Sequence, residues 1–208
     1  MASLVAAFAF VFGLLGADGL AAQTPERFEF SEVHMGTEFR IVFYASGAQA
    51  ADAAARSTFA ALARLDSLFS DYRDDSEIAE VAARAGSGAL HVASPELTSL
   101  LTEAVRWAER SGGAFDPTLG PLTKLWRWSA RRGELPDSSR LHEAKSRVGF
   151  EGLRVEPSGG VALVRSGMSL DLGGIAKGFA GDVMLAILAG YGVEAALIDA
   201  GGDLVAGA

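Results

Sequence analysis

The stretch "SLDLGGIAKGFAGD", residues 169–182, joins an extended segment to a helix through two adjacent glycines. The residues before it, 160–172, alternate valine and leucine with polar residues and predict a strand, whereas apolar residues from Ala176 to Leu188 recur at helical spacing. A strand-to-helix turn exposes backbone N–H groups at the positive end of a helix dipole, and glycine lets a ligand approach the backbone closely. The turn is therefore a candidate anion site.

The same turn also has a purely structural interpretation. Its two glycines would only shape a tight turn, with Asp171 capping it and Lys177 a solvated helix residue. The two common phosphate loops do not fit: a Walker A lysine precedes serine or threonine, whereas Gly178 follows Lys177, and the fingerprint Gly-x-Gly-x-x-Gly is absent from the sequence. The local pattern alone leaves the anion site and the structural turn equally open.

Composition narrows the class of protein and the kinds of site it can hold. The chain has 208 residues, of which 50% are hydrophobic, enough to bury a substantial core. Its net charge is −8 and its Lys/Arg runs do not exceed the pair Arg131–Arg132, which argues against a nucleic-acid partner. The sequence has no cysteine, and His34, His91 and His142 lie far apart, so we expect any metal to be held by oxygen ligands.

The first 22 residues differ in composition from the rest of the chain. "ASLVAAFAFVFGLLG" is an apolar run, followed by small residues and then by polar "TPERFEF". This pattern predicts a secretory signal peptide over residues 1–22, cleaved near Ala21 or Ala22, and export of residues 23–208 to the periplasm or cell envelope. A buried helix and a retained anchor are the alternatives, although the run is shorter than the roughly 20 residues that span a bilayer. A retained run would associate the protein peripherally with the membrane.

Strands and hairpins are indicated by alternation and by turn residues. Phe39, Ile41 and Phe43 alternate with more polar neighbours and predict a strand directly after "HMGT". Glycine-rich turns at residues 158–160 and 200–203 predict two hairpins. The second hairpin is cut short by the last residue, so we expect the natural protein to continue beyond it.

One helix carries start and stop signals at both ends. Ser94 is suited to the N-cap, Pro95 to the first helical position, and Gly112–Gly113 to the end of the helix. A second helix is predicted over the alanine-rich segment in which Phe59, Leu62, Leu65 and Phe69 recur at helical spacing.

Five stretches together resemble a known family. In order and spacing, "HMGTEFRI", "LFSDYRDDSEI", "GGAFDPTLGPLTKLW", "LDLGGIAKGFAGD" and "LIDAGGDLVA" are similar to the landmarks of the FAD:protein FMN transferases, the ApbE family. The resemblance runs from about Val33 to the end of the chain. It implies an α+β fold with a mainly antiparallel sheet packed by helices.

The resemblance also implies an activity. Members of the family use Mg²⁺ and pass the FMN half of FAD to a threonine or serine hydroxyl of a target flavoprotein, while AMP leaves. The alternatives for this chain are an FAD pyrophosphatase that releases FMN and AMP, and a non-catalytic FAD-binding protein.

The family's functional residues map onto the quoted stretches. The implied FAD contacts are Met35, Tyr72, Ala114, Phe115, Asp116, Asp171 and Lys177, and the implied Mg²⁺ ligand is the backbone carbonyl of Gly174. Met35 and Tyr72 would contact the aromatic parts of FAD, and residues 114–116 would line the adenosine-side pocket. Without the resemblance, Asp116 is better interpreted as the cap of the turn "DPT". The resemblance assigns no catalytic base.

Part of the family's metal site falls outside these stretches. The resemblance implies a further aspartate and threonine on Mg²⁺, and a histidine-containing stretch near them, in a C-terminal part that this sequence does not include. We therefore expect the chain as written to bind FAD weakly and not to transfer FMN. Asp199 occupies a position where asparagine is common in the family, so its role is not carried over.

Overall fold

Seven strands, six α-helices and one short 3₁₀ helix (Phe150–Gly152) lie within residues 24–207, the part of the chain described by the computed structural model. The strands are β1 (Glu26–His34), β2 (Thr37–Ala45), β3 (His91–Val92), β4 (Leu153–Val155), β5 (Gly160–Leu163), β6 (Ala196–Ala200) and β7 (Asp203–Gly207). The helices are α1 (Ala48–Phe69), α2 (Glu77–Ala83), α3 (Pro95–Arg110), α4 (Gly120–Arg132), α5 (Ser138–Ser146) and α6 (Ala176–Gly190). The predicted signal peptide, residues 1–22, lies outside the described residues.

The larger sheet has four strands in the order β1-β2-β6-β7, and every neighbouring pair is antiparallel. Phe39, Ile41 and Phe43 of β2 are fully buried, as their alternation predicts. Helices α1 and α6 pack against this sheet and against each other. The predicted α+β fold with an antiparallel sheet is thereby confirmed.

The smaller sheet has three antiparallel strands in the order β3-β5-β4. The expectation of a strand over residues 160–172 holds only for residues 160–163 and is wrong for the rest, because β5 ends at Leu163. Met168, Leu170 and Leu172 are nevertheless almost fully buried. Their alternation therefore reflects irregular extended backbone that crosses the core, held to the start of α4 by a single parallel bridge between Leu119 and Ser169.

Helix α3 begins and ends as its sequence predicts. The Ser94 side chain accepts a hydrogen bond from the backbone N–H of Leu97 at 3.1 Å, and Pro95 is the first helical residue. After the last turn, the N–H of Gly113 donates to the carbonyl of Ala108 at 2.9 Å. Within residues 24–207 we find no helix with the length and apolar character needed to cross a membrane.

Two hairpin turns and the start of α6 meet at one end of the larger sheet. Met35 and Gly36 join β1 to β2, and Gly201 and Gly202 join β6 to β7, with φ positive at all four residues. Two central residues with positive φ characterise the type I′ turn, whose twist matches that of paired strands. The turns lie so close together that a Cβ atom on Gly201 would collide with the side chain of Thr37.

Candidate functional site

Two cavities of about 550 Å³ each flank the first turn of α6. We call one the tyrosine pocket; its lining includes Met35, Tyr72, Arg127, Asp171, Gly173 and Lys177. We call the other the tryptophan pocket; its lining includes Trp107, Gly173, Gly174, Lys177, Asp203 and Leu204. Gly173 and Lys177 line both, so the start of α6 forms a ridge between the two pockets.

Asp171 orders the loop that leads into this ridge. Its Oδ1 accepts from the N–H of Gly173 at 2.9 Å, and its own N–H donates to the carbonyl of Pro117 at 2.9 Å. The N-cap residue Ile175 makes no side-chain cap hydrogen bond. Among residues 24–207, no backbone carbonyl accepts from the N–H groups of Gly174 or Lys177. These two donors are therefore available to an anion at the positive end of the helix.

Lys177 places a positive charge on the same ridge. Its Nζ lies 2.7 Å from Oδ2 of Asp203, and the two side chains are 29% and 56% exposed. An ion pair this exposed contributes little to folding and can exchange partners. The ammonium group can therefore turn from Asp203 to a phosphate lying on either side of the ridge.

Tyr72 lines the tyrosine pocket and is 75% exposed. The guanidinium carbon of Arg127 lies 4.2 Å from the centre of its ring. Arg127 also donates through Nη1 to Asp71, and its Nη2 lies 3.6 Å from Oδ2 of Asp171. Partial burial disfavours the charged guanidinium and is the largest single effect, but the hydrogen bond and charge of Asp71, together with Tyr72 and Asp171, outweigh it, so the pKa of Arg127 is raised above its ordinary value.

Met35 lines the tyrosine pocket from a strained backbone position. Its φ is 49°, and it is the one residue other than glycine with positive φ among residues 24–207. The left-handed region costs an ordinary side chain roughly 1–2 kcal/mol. Strain of this kind is concentrated at binding sites, where the surrounding structure holds it in place.

Residues 114–116 differ in burial and in the groups that they contact. Ala114 is exposed, and the ring of Phe115 is so close to Gly174 that an added Cβ would lie 3.3 Å from it. Asp116 is only 8% exposed and accepts from the N–H groups of Thr118 at 2.8 Å and Phe150 at 3.0 Å. Asp116 does not line either pocket, and its hydrogen bonds are those of a turn-ordering residue; its contact with FAD stays a prediction.

Most of the chain matches one known protein family. The sequence profile of the ApbE family matches residues 35–208. The chain belongs to the ApbE family. The FAD:protein FMN transferase of Treponema pallidum (strain Nichols) is 38% identical over 183 residues, which cover 85% of this chain and 50% of that protein. The chain thus spans about half the length of the curated relatives that it matches.

Solved ApbE structures share the fold. The apo form of the flavinyl transferase ApbE of Pseudomonas stutzeri superposes with a TM-score of 0.78 at 27% identity, over 88% of this chain and 58% of that chain. The flavin transferase ApbE of Vibrio cholerae superposes with a TM-score of 0.78 at 26% identity, over 87% of this chain and 59% of that chain.

The structure gathers most of the residues that the ApbE resemblance implies. Met35, Tyr72, Asp171 and Lys177 line the tyrosine pocket, while Gly174 lines the tryptophan pocket. Sequence patterns did not identify Arg127, Asp203 or Trp107. Arg127 meets Asp71 across a separation of 56 residues, so no local pattern identifies it. Asp203 is the last residue of the turn "AGGD", and that pattern predicts a turn but no binding role.

The described residues supply only part of a magnesium site of the ApbE type. No cluster of three or more histidine, aspartate or glutamate side chains suited to a metal ion occurs within residues 24–207. Gly174 lines the tryptophan pocket, but one neutral backbone oxygen would be a poor site for an ion that prefers carboxylate and phosphate ligands. These residues alone do not fit Mg²⁺.

Asp199 has a structural role at the turn between β6 and β7. Its Oδ1 accepts from the N–H of Gly202 at 2.8 Å, and Arg40 donates to its Oδ2 at 3.2 Å. The hydrogen bond from Gly202, followed by that from Arg40, lowers the pKa of Asp199 below its ordinary value. Asparagine could accept the Gly202 hydrogen bond equally well, so the turn itself does not require the charge.

Proposed function

We propose that the complete protein is an FAD:protein FMN transferase, which moves the FMN half of FAD to a threonine or serine hydroxyl of a flavoprotein and releases AMP. The observation that carries the proposal is the ridge at the start of α6, where Lys177 and two N–H groups with no backbone acceptor in the described part of the chain lie next to two pockets. Each pocket has an exposed aromatic side chain, Tyr72 in one and Trp107 in the other. FAD has the matching form, with two aromatic ends joined by a pyrophosphate.

The residues of the ridge suit transfer at a pyrophosphate. The N–H groups of Gly174 and Lys177 would donate to phosphate oxygens at the helix start. The ammonium group of Lys177 would offset the negative charge that grows on the departing AMP. Asp171 would keep the loop in place through its hydrogen bond from Gly173.

The proposed reaction is an in-line displacement. The acceptor hydroxyl oxygen forms a bond to the FMN phosphorus, while the bond from that phosphorus to the bridging oxygen breaks and its electron pair leaves with AMP. The hydroxyl proton passes to a base that we do not assign among residues 24–207. The site contributes by holding the two reactants in register, which lowers the entropic part of the barrier.

Magnesium dependence is part of the proposal and rests on family membership. Mg²⁺ neutralises phosphate charge and commonly combines protein oxygens with phosphate oxygens. Gly174 would supply one such oxygen. Removing divalent ions with EDTA should abolish transfer by the complete protein, and adding MgCl₂ should restore it.

We also propose that the protein works in the periplasm or at the cell envelope, with a peripheral association with the membrane if the first 22 residues are retained. The support is the apolar run followed by small residues before Gln23. Amino-terminal sequencing of the protein from fractionated cells tests this. A chain that begins at Met1 and is found only in the cytosol would contradict it.

The decisive assay mixes the complete protein with FAD, MgCl₂ and an acceptor domain that carries a candidate threonine. Transfer increases the mass of the acceptor by one FMN group and releases an equal amount of AMP. The control acceptor has valine in place of that threonine and should gain no mass. Free FMN and AMP without a modified acceptor would instead show a pyrophosphatase, and unchanged bound FAD would show a binding protein.

A further inference from the structure

Arg127 occupies a position in the tyrosine pocket that neither the family landmarks nor the ridge explains. It lies on α4, whereas the groups it contacts come from two other segments: Asp71 and Tyr72 after α1, and Asp171 before α6. The three carboxylate and guanidinium side chains are each no more than 30% exposed. One planar cation thus joins three parts of the pocket wall.

Three neighbouring side chains surround the guanidinium group of Arg127. Its Nη1 is bonded to Asp71, its Nη2 faces Asp171, and its flat face covers the ring of Tyr72. Lys177 is better suited to bind a phosphate, because its one ion-pair partner among the described residues, Asp203, is exposed and readily exchanged. These contacts make Arg127 a candidate to act on a ligand through the groups that it holds.

Arg127 also balances the formal charge of the side chains that line the tyrosine pocket. Three acidic and three basic side chains line it, namely Asp66, Asp71, Asp171, Arg73, Arg127 and Lys177. Their formal charges cancel. Without Arg127 the wall would carry one excess negative charge next to the place where an anionic ligand binds, and two largely buried carboxylates would lose their common partner.

We propose that Arg127 is a positioning residue that fixes the Tyr72 ring as a preformed stacking surface and holds Asp71 and Asp171 in the pocket wall. With one ring face under the guanidinium, the other remains available to a planar ring of the ligand. Holding an exposed aromatic side chain in advance removes part of the ordering cost of binding. The identity of that ligand as FAD rests on the proposed function.

Binding measurements on the complete protein test this role. Arg127→Met should weaken FAD binding about five- to tenfold, the size of a partly desolvated cation–π contact. Arg127→Lys should recover only part of the affinity, because lysine keeps the charge but not the planar, bidentate fork. Arg131→Met, an exposed arginine on the same helix, is the matched control and should bind FAD as the parent protein does.

A double-mutant cycle separates positioning from independent effects. If Arg127 acts through the ring, Arg127→Met should cost much less affinity in a Tyr72→Ala background than in the parent protein. Additive losses would overturn the proposed coupling to Tyr72. Thermal unfolding of each variant is measured in parallel, and Arg127→Lys serves for the comparison if Arg127→Met does not fold.

A measurement without ligand tests the contact between Arg127 and Tyr72 independently of the proposed function. The complete protein is labelled with 3-fluorotyrosine, and the ¹⁹F resonance of Tyr72 is assigned by its loss in Tyr72→Phe. Arg127→Met should shift that resonance, whereas Arg131→Met should not. An unshifted resonance overturns the inference whether or not FAD binds. A shifted resonance in a protein that does not bind FAD would support the role of Arg127 and contradict the proposed function.

Discussion

Lys177 Nζ lies 2.7 Å from Asp203 Oδ2, so the first turn of α6 is tied to the first residue of β7. The pair sits on the ridge between the tyrosine and tryptophan pockets, where both side chains are open to solvent. Exposed ion pairs are worth at most about 1 kcal/mol to folding. We therefore expect this pair to matter less for stability than for keeping the Lys177 ammonium group where a pyrophosphate would bind.

Replacing Lys177 with methionine should weaken FAD binding about tenfold or more, because a charge-assisted hydrogen bond to phosphate is lost. The free energy of unfolding should change by less than about 1 kcal/mol, since only an exposed ion pair is removed. Titration calorimetry with FAD and urea unfolding of the complete protein measure the two quantities.

Asp203→Asn is the matched control for that experiment. It removes the partner of Lys177 but leaves the ammonium group free for the ligand, so FAD affinity should not fall. If Asp203→Asn weakened FAD binding as much as Lys177→Met, then Lys177 would act through its ion pair rather than on the ligand.

Asp116→Asn should lower the free energy of unfolding by about 1–3 kcal/mol, the cost of leaving a buried donor unsatisfied. Both carboxylate oxygens accept backbone N–H groups, one from Thr118 and the other from Phe150, and an amide can accept at only one side. Asp171→Asn should cost less stability, because only one of its oxygens accepts a backbone N–H.

FAD titration of Asp116→Asn and Asp171→Asn tests whether either aspartate contributes to FAD binding. Because Asp116 does not line either pocket, its replacement should weaken FAD binding less than Asp171→Asn does. Unchanged stability together with a large loss of FAD affinity for Asp116→Asn would instead establish the direct contact that the family resemblance implies.

Local sequence patterns were sufficient to predict the helix cap, the strand and the turns that depend on them. The cap at Ser94, the alternation around Ile41 and the glycine turns at residues 158–160 and 200–203 are all present in the structure. Each depends on contacts between residues close in the chain, or on burial of one face of a strand. Such features can be identified before the fold is known.

Features that depend on distant partners could not be predicted in this way. Arg127 acquires its role from Asp71 and Asp171, which lie in other parts of the chain. The segment 164–172 has the alternation of a strand but not the neighbouring strand that would complete one. Burial of Asp116 likewise follows from the approach of Phe150, 34 residues later.

Met35→Asn should be more stable than Met35→Ala by about 0.5–1 kcal/mol, although both lose the same contacts with the core. Asparagine adopts positive φ more readily than alanine, and Asn-Gly is the preferred pair for a type I′ turn. Both variants should bind FAD more weakly than the parent protein, since Met35 lines the tyrosine pocket. Urea unfolding and FAD titration of the pair provide the comparison; equal stabilities would show that the turn is not strained at Met35.

Glu96 should contribute a pH-dependent part of the stability by linking α3 to α1. Arg64 donates to its two carboxylate oxygens at 2.9 and 3.3 Å. These hydrogen bonds, followed by one from the backbone, lower the pKa of Glu96 from its ordinary value of 4.5. A carboxyl with a lowered pKa stabilises the folded state fully above its ordinary pKa, and this contribution is lost as the pH falls through the folded-state pKa.

Glu96→Gln should therefore be less stable than the parent protein at neutral pH, and the difference should be smaller at about pH 3. The difference at neutral pH should stay below about 1 kcal/mol, because the Arg64 side chain is 56% exposed and water screens the pair. Arg64→Met should show the same narrowing with pH, since it removes the other half of the interaction. Urea unfolding at both pH values measures the difference, and a gap that does not change with pH would mean that Glu96 stabilises the protein by packing rather than by charge.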